Sequence, residues 1–311
     1  MKNIEIIESG IYLPLNKIEN SELEKELSLD NGYIEKRTGI KTRHYAEEEV
    51  EELAKKAVEN LFSNISNKEK TIEKIGIIIV ATTTPNNIMP GIANEIQEML
   101  NIKKCIALDI SAGCSGYINA LDIAKMYIET EKVEYALVVG ADKLTSYTDK
   151  KDISTSIILA DGAGAILFGA TKEKKKYTSN IEAKVDKNKI LTCKTSQKIQ
   201  MKGREVYKYA VTEPVRNIEQ LLKTAEVTLN EIKYIIPHQS NMKIIQSIQN
   251  KLKINNEKMY TNIEYVGNTF CASIPIALNE MFEKNLLNEG DKIILIGYGG
   301  GLNTGSILIE K

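Results

Sequence analysis

The sequence predicts an α/β protein built from two related halves, with helices covering buried sheets. Two observations carry this. Short apolar runs alternate with longer amphipathic stretches, the βαβ pattern of a helix-covered sheet. The same series of segments then recurs with an offset near 157 residues. A third observation bounds the answer. No apolar run in the 311 residues approaches the length of a membrane span.

The elements follow in order. "IGIIIVATTT" (75–84), "KCIALDIS" (104–111) and "EYALVVGA" (134–141) read as buried strands. "GIANEIQEML" (91–100) and "GYINALDIAKMYIET" (116–130) space their apolar residues as helices do. "TKEKKKYTSNIEAKVDKNK" (171–189) is charge-rich and weakly periodic, so it reads as a solvated connection or an edge strand, with the plain linker favoured. It separates an N-terminal half, 1–170, from a C-terminal half, 171–311. "KYIIPHQS" (233–240) then repeats the first strand, "CASIPIALNEMFE" (271–283) repeats "CSGYINALDIAKM" (114–126), and "DKIILIGYGG" (291–300) repeats "EYALVVGADK" (134–143). Leu121 is matched by Leu278, Gly140 by Gly297 and Cys114 by Cys271. "DKLTSYTDKKDISTSI" (142–157) has no counterpart, and insertions of this kind often shape sites.

Composition narrows the function classes. A content of 42% hydrophobic and 27% charged residues is that of a soluble globular protein. A net charge of -1 gives no global field toward nucleic acid or a membrane. "MKNIEIIESGIYLP" has no basic stretch leading into a long apolar run, which argues against a signal peptide. Cys105, Cys114, Cys193 and Cys271 lack CxxC spacing, so they are expected to be reduced thiols of a cytoplasmic protein, neither a disulfide frame nor a zinc site. Any imidazole chemistry must use His44 or His238, the two histidines.

Four segments carry chemistry. In "ALDISAGCSGYINAL" a thiol sits where a strand passes into a helix. Unpaired N–H donors and the positive helix end there are expected to favour thiolate, the nucleophilic form. The alternative is a buried structural cysteine. In "IIPHQSN" (235–241) Pro237 is expected to stop the ladder, and His238 then projects from the strand's C-terminal end, where α/β sheets place chemistry. In "YVGNTFCASIP" (265–275) Asn268 offers a donor and acceptor that do not titrate, or is simply a turn residue. In "GYGGGLNTGSILI" (297–309) consecutive glycines let backbone N–H groups approach a developing oxyanion. "ADGAGAILFG" (160–169) reads as a tight turn with close strand packing.

Together, "DISAGCSGY", "PHQSN", "GNTFCASIP" and the late "GGG" resemble the β-ketoacyl-acyl-carrier-protein synthase III family of thiolase-fold condensing enzymes. "SGIYLP", "IEKRTGIKTRHYA", "IIIVATTTP", "ADGAGA" and "GREVYKYAV" also look like that family's segments, in the same order. The resemblance covers almost the whole chain. It implies a duplicated thiolase-like fold layered α-β-α-β-α. It implies that Cys114 takes the acyl group from a thioester, and that the N–H groups of Cys114 and Gly300 stabilise the oxyanion. His238 and Asn268 would hold the enolate formed when malonyl-carrier protein loses CO₂. It further implies acyl-CoA as substrate, acyl carrier protein as partner, a homodimer, and no tightly bound cofactor or metal. Cys271 reads as an inert filler and His44 as structural.

The likeness departs from the family in three places. Tyr33 stands where the family has the Trp that stacks on the CoA adenine, and the matching Arg falls near Ile153. Arg37, Gly203 and Asn241 still match CoA-tunnel positions. Lys243 replaces the Arg of the carrier-docking helix, keeping charge but losing the bidentate fork, and Lys208 can share that patch. Met89 stands where an aromatic gates the acyl pocket across the dimer. These departures leave open a specialised-metabolite acyltransferase or condensing enzyme with another acceptor or a carrier-bound donor.

Overall fold

In the strand Ile75–Ala81 successive side chains face opposite sides, and both sides are apolar. Ile77, Ile79 and Ala81 join one buried cluster, while Ile78 and Val80 join another. A strand of this pattern must be covered on both faces. The computed structural model describes residues 2–194 and 197–311.

The frame is β1 (Asn3–Tyr12), α1 (Val50–Ser63), β2 (Ile75–Ala81), α2 (Ile92–Met99), β3 (Ile106–Ile110), α3 (Gly116–Glu129), β4 (Tyr135–Lys143) and β5 (Asp161–Thr171). It continues with β6 (Tyr177–Ala183), α4 (Gly203–Ala210), α5 (Glu213–Ala225), β7 (Ile232–Pro237), α6 (Met242–Leu252), α7 (Ser273–Glu283), β8 (Lys292–Gly299) and β9 (Asn303–Glu310). One sheet has the order β1-β5-β4-β2-β3 and the other β6-β9-β8-β7. Within each, the first two pairings are antiparallel and the next is parallel. In the first sheet β3 adds a parallel fifth strand, whereas in the second a single parallel bridge, Ile235–Met259, stands in its place.

The clusters give the layering. Ile118, Leu121, Ile274 and Leu278 of α3 and α7 pack between the inner faces of both sheets. Leu53, Val58 and Leu61 of α1, with Ile96 of α2, cover the outer face of the first sheet. Ile218 and Leu221 of α5, with Ile245 and Ile248 of α6, cover the outer face of the second. The order is α-β-α-β-α, and the fold is thiolase-like and internally duplicated. Central residues such as Leu121 and Leu278 are fully buried, and truncating one to alanine costs about 2–5 kcal/mol.

The duplication holds residue for residue. The starts of β2, α3 and β4, at 75, 116 and 135, recur 157 residues later at 232, 273 and 292. The spacing from β5 to β9, 161 to 303, falls to 142, because the stretch 142–157 has no counterpart. The charge-rich 171–189 segment contributes the edge strand β6 rather than only a linker. "ADGAGAILFG" forms most of β5 rather than a turn, and its close packing is real: a Cβ on Gly164 would lie 2.9 Å from the Ile276 nitrogen. Among the described residues no helix is long and apolar enough to cross a membrane.

Candidate active site

Cys114 lies where β3 hands over to α3. The chain turns through Gly113 at φ +60° before entering the helix at Gly116. A Cβ at 113 would sit 2.8 Å from the Gly300 carbonyl oxygen, so both the turn and the close approach require glycine. The backbone N–H groups of Gly300 and of Cys114 itself favour the charged form of the sulfur. These donors do not make it a thiolate, contrary to the expectation from the helix end. The residue is only 4% exposed. Burial, with the Asp142 carboxylate adding to it, pushes the thiol up to about 12, and the two donors offset only part of that rise. At rest Cys114 is a neutral thiol.

His238 comes from the equivalent corner of the second sheet. Pro237 does not stop the ladder. It is a strand residue in register with Ile296, and the His238 N–H still donates to the Ile296 carbonyl at 2.8 Å. Alternation turns the proline nitrogen away from β8, toward the side that carries only the single bridge. The imidazole is buried, with Nδ1 2.8 Å from the Ser273 hydroxyl on the first residue of α7. Tyr298 and Phe270 meet it edge-on at 5.5 and 6.4 Å. Burial lowers its pKa to about 3, so the ring is neutral.

Asn268 is held by backbone and side chain. Its N–H donates to the Ile158 carbonyl at 3.1 Å, and its carbonyl accepts from the Ala160 N–H at 2.9 Å. Its Oδ1 accepts from the Phe270 N–H at 3.1 Å, and Nδ2 donates to the Ser240 carbonyl at 3.4 Å. The residues that pin it directly follow the 142–157 stretch that has no counterpart, whose Ile153, Ser154 and Thr155 line the same cavity.

That cavity, about 810 Å³, brings Cys114, His238 and Asn268 together. Exposed Lys36, Arg37 and Lys243 also line it, placing cations on its open side. Sequence reasoning missed three supporting residues. Asp142 is fully buried and accepts from the Thr83 N–H at 2.7 Å, from the hydroxyls of Thr82, Thr83 and Thr84, and from the Cys271 N–H at 3.0 Å. Its signal was a lone carboxylate at the end of the apolar run "EYALVVGADK". Ser273 and Tyr298 lay in quoted segments, but nothing local marked them. Cys271 is more than a filler: its thiol donates to the Gly113 carbonyl at 3.2 Å, inside the turn that carries Cys114. His44 lies outside the cavity lining, its Nδ1 2.6 Å from the Pro14 carbonyl oxygen.

Two family models match, 3-oxoacyl-[acyl-carrier-protein] synthase III over residues 108–186 and its C-terminal part over 222–311. The chain is 36% identical to the β-ketoacyl-[acyl-carrier-protein] synthase III of Clostridium novyi, covering 100% of this chain and 99% of that one. It is 38% identical to the synthase III of Aquifex aeolicus over 98% of both chains. The chain belongs to the β-ketoacyl-[acyl-carrier-protein] synthase III family. The crystal structure of the Aquifex aeolicus VF5 3-oxoacyl-[acyl-carrier-protein] synthase III superposes with a TM-score of 0.94 at 37% identity, covering 100% of each chain. That from Thermus thermophilus gives 0.92 at 32% identity over 98% of each. The synthase III family is a class of condensing acyltransferases, and this chain is an enzyme of that class.

The other residues singled out by the resemblance to synthase III divide in two. Tyr33, Arg37, Gly203, Asn241 and Lys243 all line the cavity. Asn241 also caps α6, its Oδ1 accepting from the Lys243 N–H at 2.9 Å. The Arg37 guanidinium lies 4.7 Å from the centroid of the Tyr33 ring, so the cation beside that ring comes from its own helix, while Ile153 supplies apolar surface. Met89 and Lys208 are exposed and line no part of the cavity. All four cysteines are free.

Proposed function

We propose that this chain primes acyl-chain synthesis in the cytoplasm, with Cys114 as acyl carrier and acyl-CoA as donor. The observation that carries the reading is one cavity joining a buried thiol to a neutral imidazole and an amide. The thiol attacks the acyl thioester, a C–S bond to Cys114 forms as the C–S bond to CoA breaks, and the thiol proton leaves with CoA–SH. The N–H groups of Gly300 and Cys114, already at the sulfur, stabilise the tetrahedral oxyanion. Malonyl-carrier protein then loses CO₂. His238 and Asn268 donate to its thioester carbonyl and stabilise the enolate. In the tautomer with the proton on Nε2, Nδ1 accepts from the Ser273 hydroxyl and the ring is a donor without titrating. The enolate carbon attacks the acyl carbonyl, expelling Cys114, which regains a proton. The product is a β-ketoacyl-carrier thioester.

Tyr33, Arg37, Gly203 and Asn241 are assigned to the CoA-pantetheine path. Lys243 and Lys208 are assigned to the acidic carrier. Residues 1–170 form the half bearing the nucleophile, and 171–311 the half bearing His238 and Asn268. The active form is a homodimer. Among the described residues β3 pairs only with β2, and its Ile106, Leu108 and Ile110 are half-exposed. A second copy would cover that edge and bring Met89, 81% exposed, toward its partner's acyl pocket.

Intact-protein mass spectrometry with acyl-CoA donors tests this. An adduct is expected on Cys114, absent in Cys114→Ala and retained in Cys271→Ser. Malonyl-carrier protein should discharge it as a β-ketoacyl product. An adduct from acyl-carrier protein but from no CoA refutes the donor assignment. An adduct that malonyl-carrier protein never discharges refutes condensation in favour of acyl transfer to another acceptor.

A further inference from the structure

Phe270 occupies a turn that glycine fills in the other half. At the 157-residue spacing its counterpart is Gly113, just as that of Cys271 is Cys114. Both turns hold this residue at positive φ, +60° for Gly113 and +43° for Phe270. Glycine takes that conformation freely, whereas the Cβ of a bulky residue crowds the carbonyl that follows. The fold imposes the angle, and phenylalanine adopts it against its own preference. Strain of this kind persists where the surroundings over-determine it, and functional sites are where it gathers.

The side chain goes to the nucleophile's surroundings. It lines the cavity with Cys114 and packs in one apolar cluster with Leu144, Leu159, Leu191 and Ile199. A Cβ built on Gly300 would lie 3.6 Å from Leu191, so this cluster begins beside the residue whose N–H meets the Cys114 sulfur. An acyl group on Cys114, its oxygen at that N–H, has this wall beside its alkyl chain.

We propose that Phe270 sets the acyl-chain length this enzyme accepts, its ring closing the apolar recess so that short acyl groups seat on Cys114 and longer ones do not. The inference rests on Cys114 being the acyl carrier. The test measures single-turnover acylation of the full chain by acetyl-, butanoyl-, hexanoyl- and octanoyl-CoA, read by intact-protein mass spectrometry, in wild type, Phe270→Gly and Phe270→Ser. Wild type should fall off steeply with length. Both variants should raise the hexanoyl-to-acetyl rate ratio by about tenfold or more, the effect of relieving a methylene-scale clash in an apolar pocket. Continued acetylation of the variants shows that they fold, and Phe270→Gly also removes the backbone strain. An unchanged ratio in acetylating variants, or a wild type that takes octanoyl as fast as acetyl, overturns the Phe270 assignment alone. No adduct on wild-type Cys114 with any donor overturns the acyl-carrier reading and this inference together.

Discussion

Replacing Gly299 with alanine tests how tightly the nucleophile is held. Gly299 has φ 169°, extended backbone open to any residue, so alanine brings steric change without backbone strain. Its Cβ would lie 2.8 Å from both Cβ and Sγ of Cys114 and 3.3 Å from the Cys114 nitrogen. Comfortable contacts between carbons are about 3.5–4.0 Å, so Cys114 or the loop must shift by roughly 0.7–1.2 Å. A displacement of about 1 Å from productive geometry costs on the order of 100-fold in rate. The middle glycine behaves differently. A Cβ on Gly300 meets only Leu191 at 3.6 Å, an ordinary contact, and the catalytic group proposed there is a backbone N–H that alanine keeps. Single-turnover acylation of Cys114 should therefore fall about 100-fold in Gly299→Ala and stay close to wild type in Gly300→Ala. The donor KM should change little, because the cations on the cavity's open side are untouched. Wild-type acylation by Gly299→Ala would refute the reasoning, and so would greater damage in Gly300→Ala.

Three further outcomes follow from the same geometry. A thiol at about 12 gains thiolate tenfold per pH unit throughout the accessible range, so Cys114 alkylation by iodoacetamide, resolved by peptide mapping, should rise with unit slope to about pH 10. A plateau near neutrality would show the thiol already ionised. Asp142→Asn replaces one carboxylate oxygen by an NH2, which must face either the Thr83 or the Cys271 N–H, and should lower unfolding free energy in urea by about 1.5–3 kcal/mol; unchanged stability would show that this contact is not needed. Cys271→Ala removes one of the two donors on the Gly113 carbonyl, leaving the Gly116 N–H, and should lower kcat about fivefold at unchanged KM, with Cys271→Ser restoring it. Equal rates in both variants would leave Cys271 a spacer.

The layered, duplicated architecture was legible because covered strands must be apolar on both faces, as β2 and β4 are, and because the repeat keeps its register through three elements. The candidate site could be nominated where the proposed chemistry needs a rare residue, since two histidines and four cysteines left few choices, and Cys114, His238 and Asn268 do line one cavity. What stayed hidden was energetic or long-range. The helix end argued for thiolate, yet burial outweighs it at Cys114, and burial depends on packing from the other half. Pro237 looked like a stop because a sequence does not show that its nitrogen faces the sparse side of β7. Cys271 looked inert because its partner, the Gly113 carbonyl, lies 158 residues away along the chain.

The duplication also explains why the chemistry is lopsided. At the 157-residue spacing His238 and Asn268 are matched by Ala81 and Ser111, so the first half has the corner of the proposed nucleophile but not the proposed partners of the enolate. The second half has a cysteine at the matching corner, yet it cannot serve as a second nucleophile. A Cβ on Gly116 would lie 3.1 Å from the Cys271 sulfur, and one on Gly140 would lie 2.2 Å from the Cys271 carbonyl oxygen. The Cys271 corner is thus pressed into the junction of the halves and fully buried, whereas the Cys114 corner opens on the cavity. Part of that cavity wall is the 142–157 stretch, which only the first half possesses. Two corners of the same backbone therefore differ: one opens its thiol on the cavity, as the proposed nucleophile needs, and the other sets its thiol on the Gly113 carbonyl inside the first corner's turn.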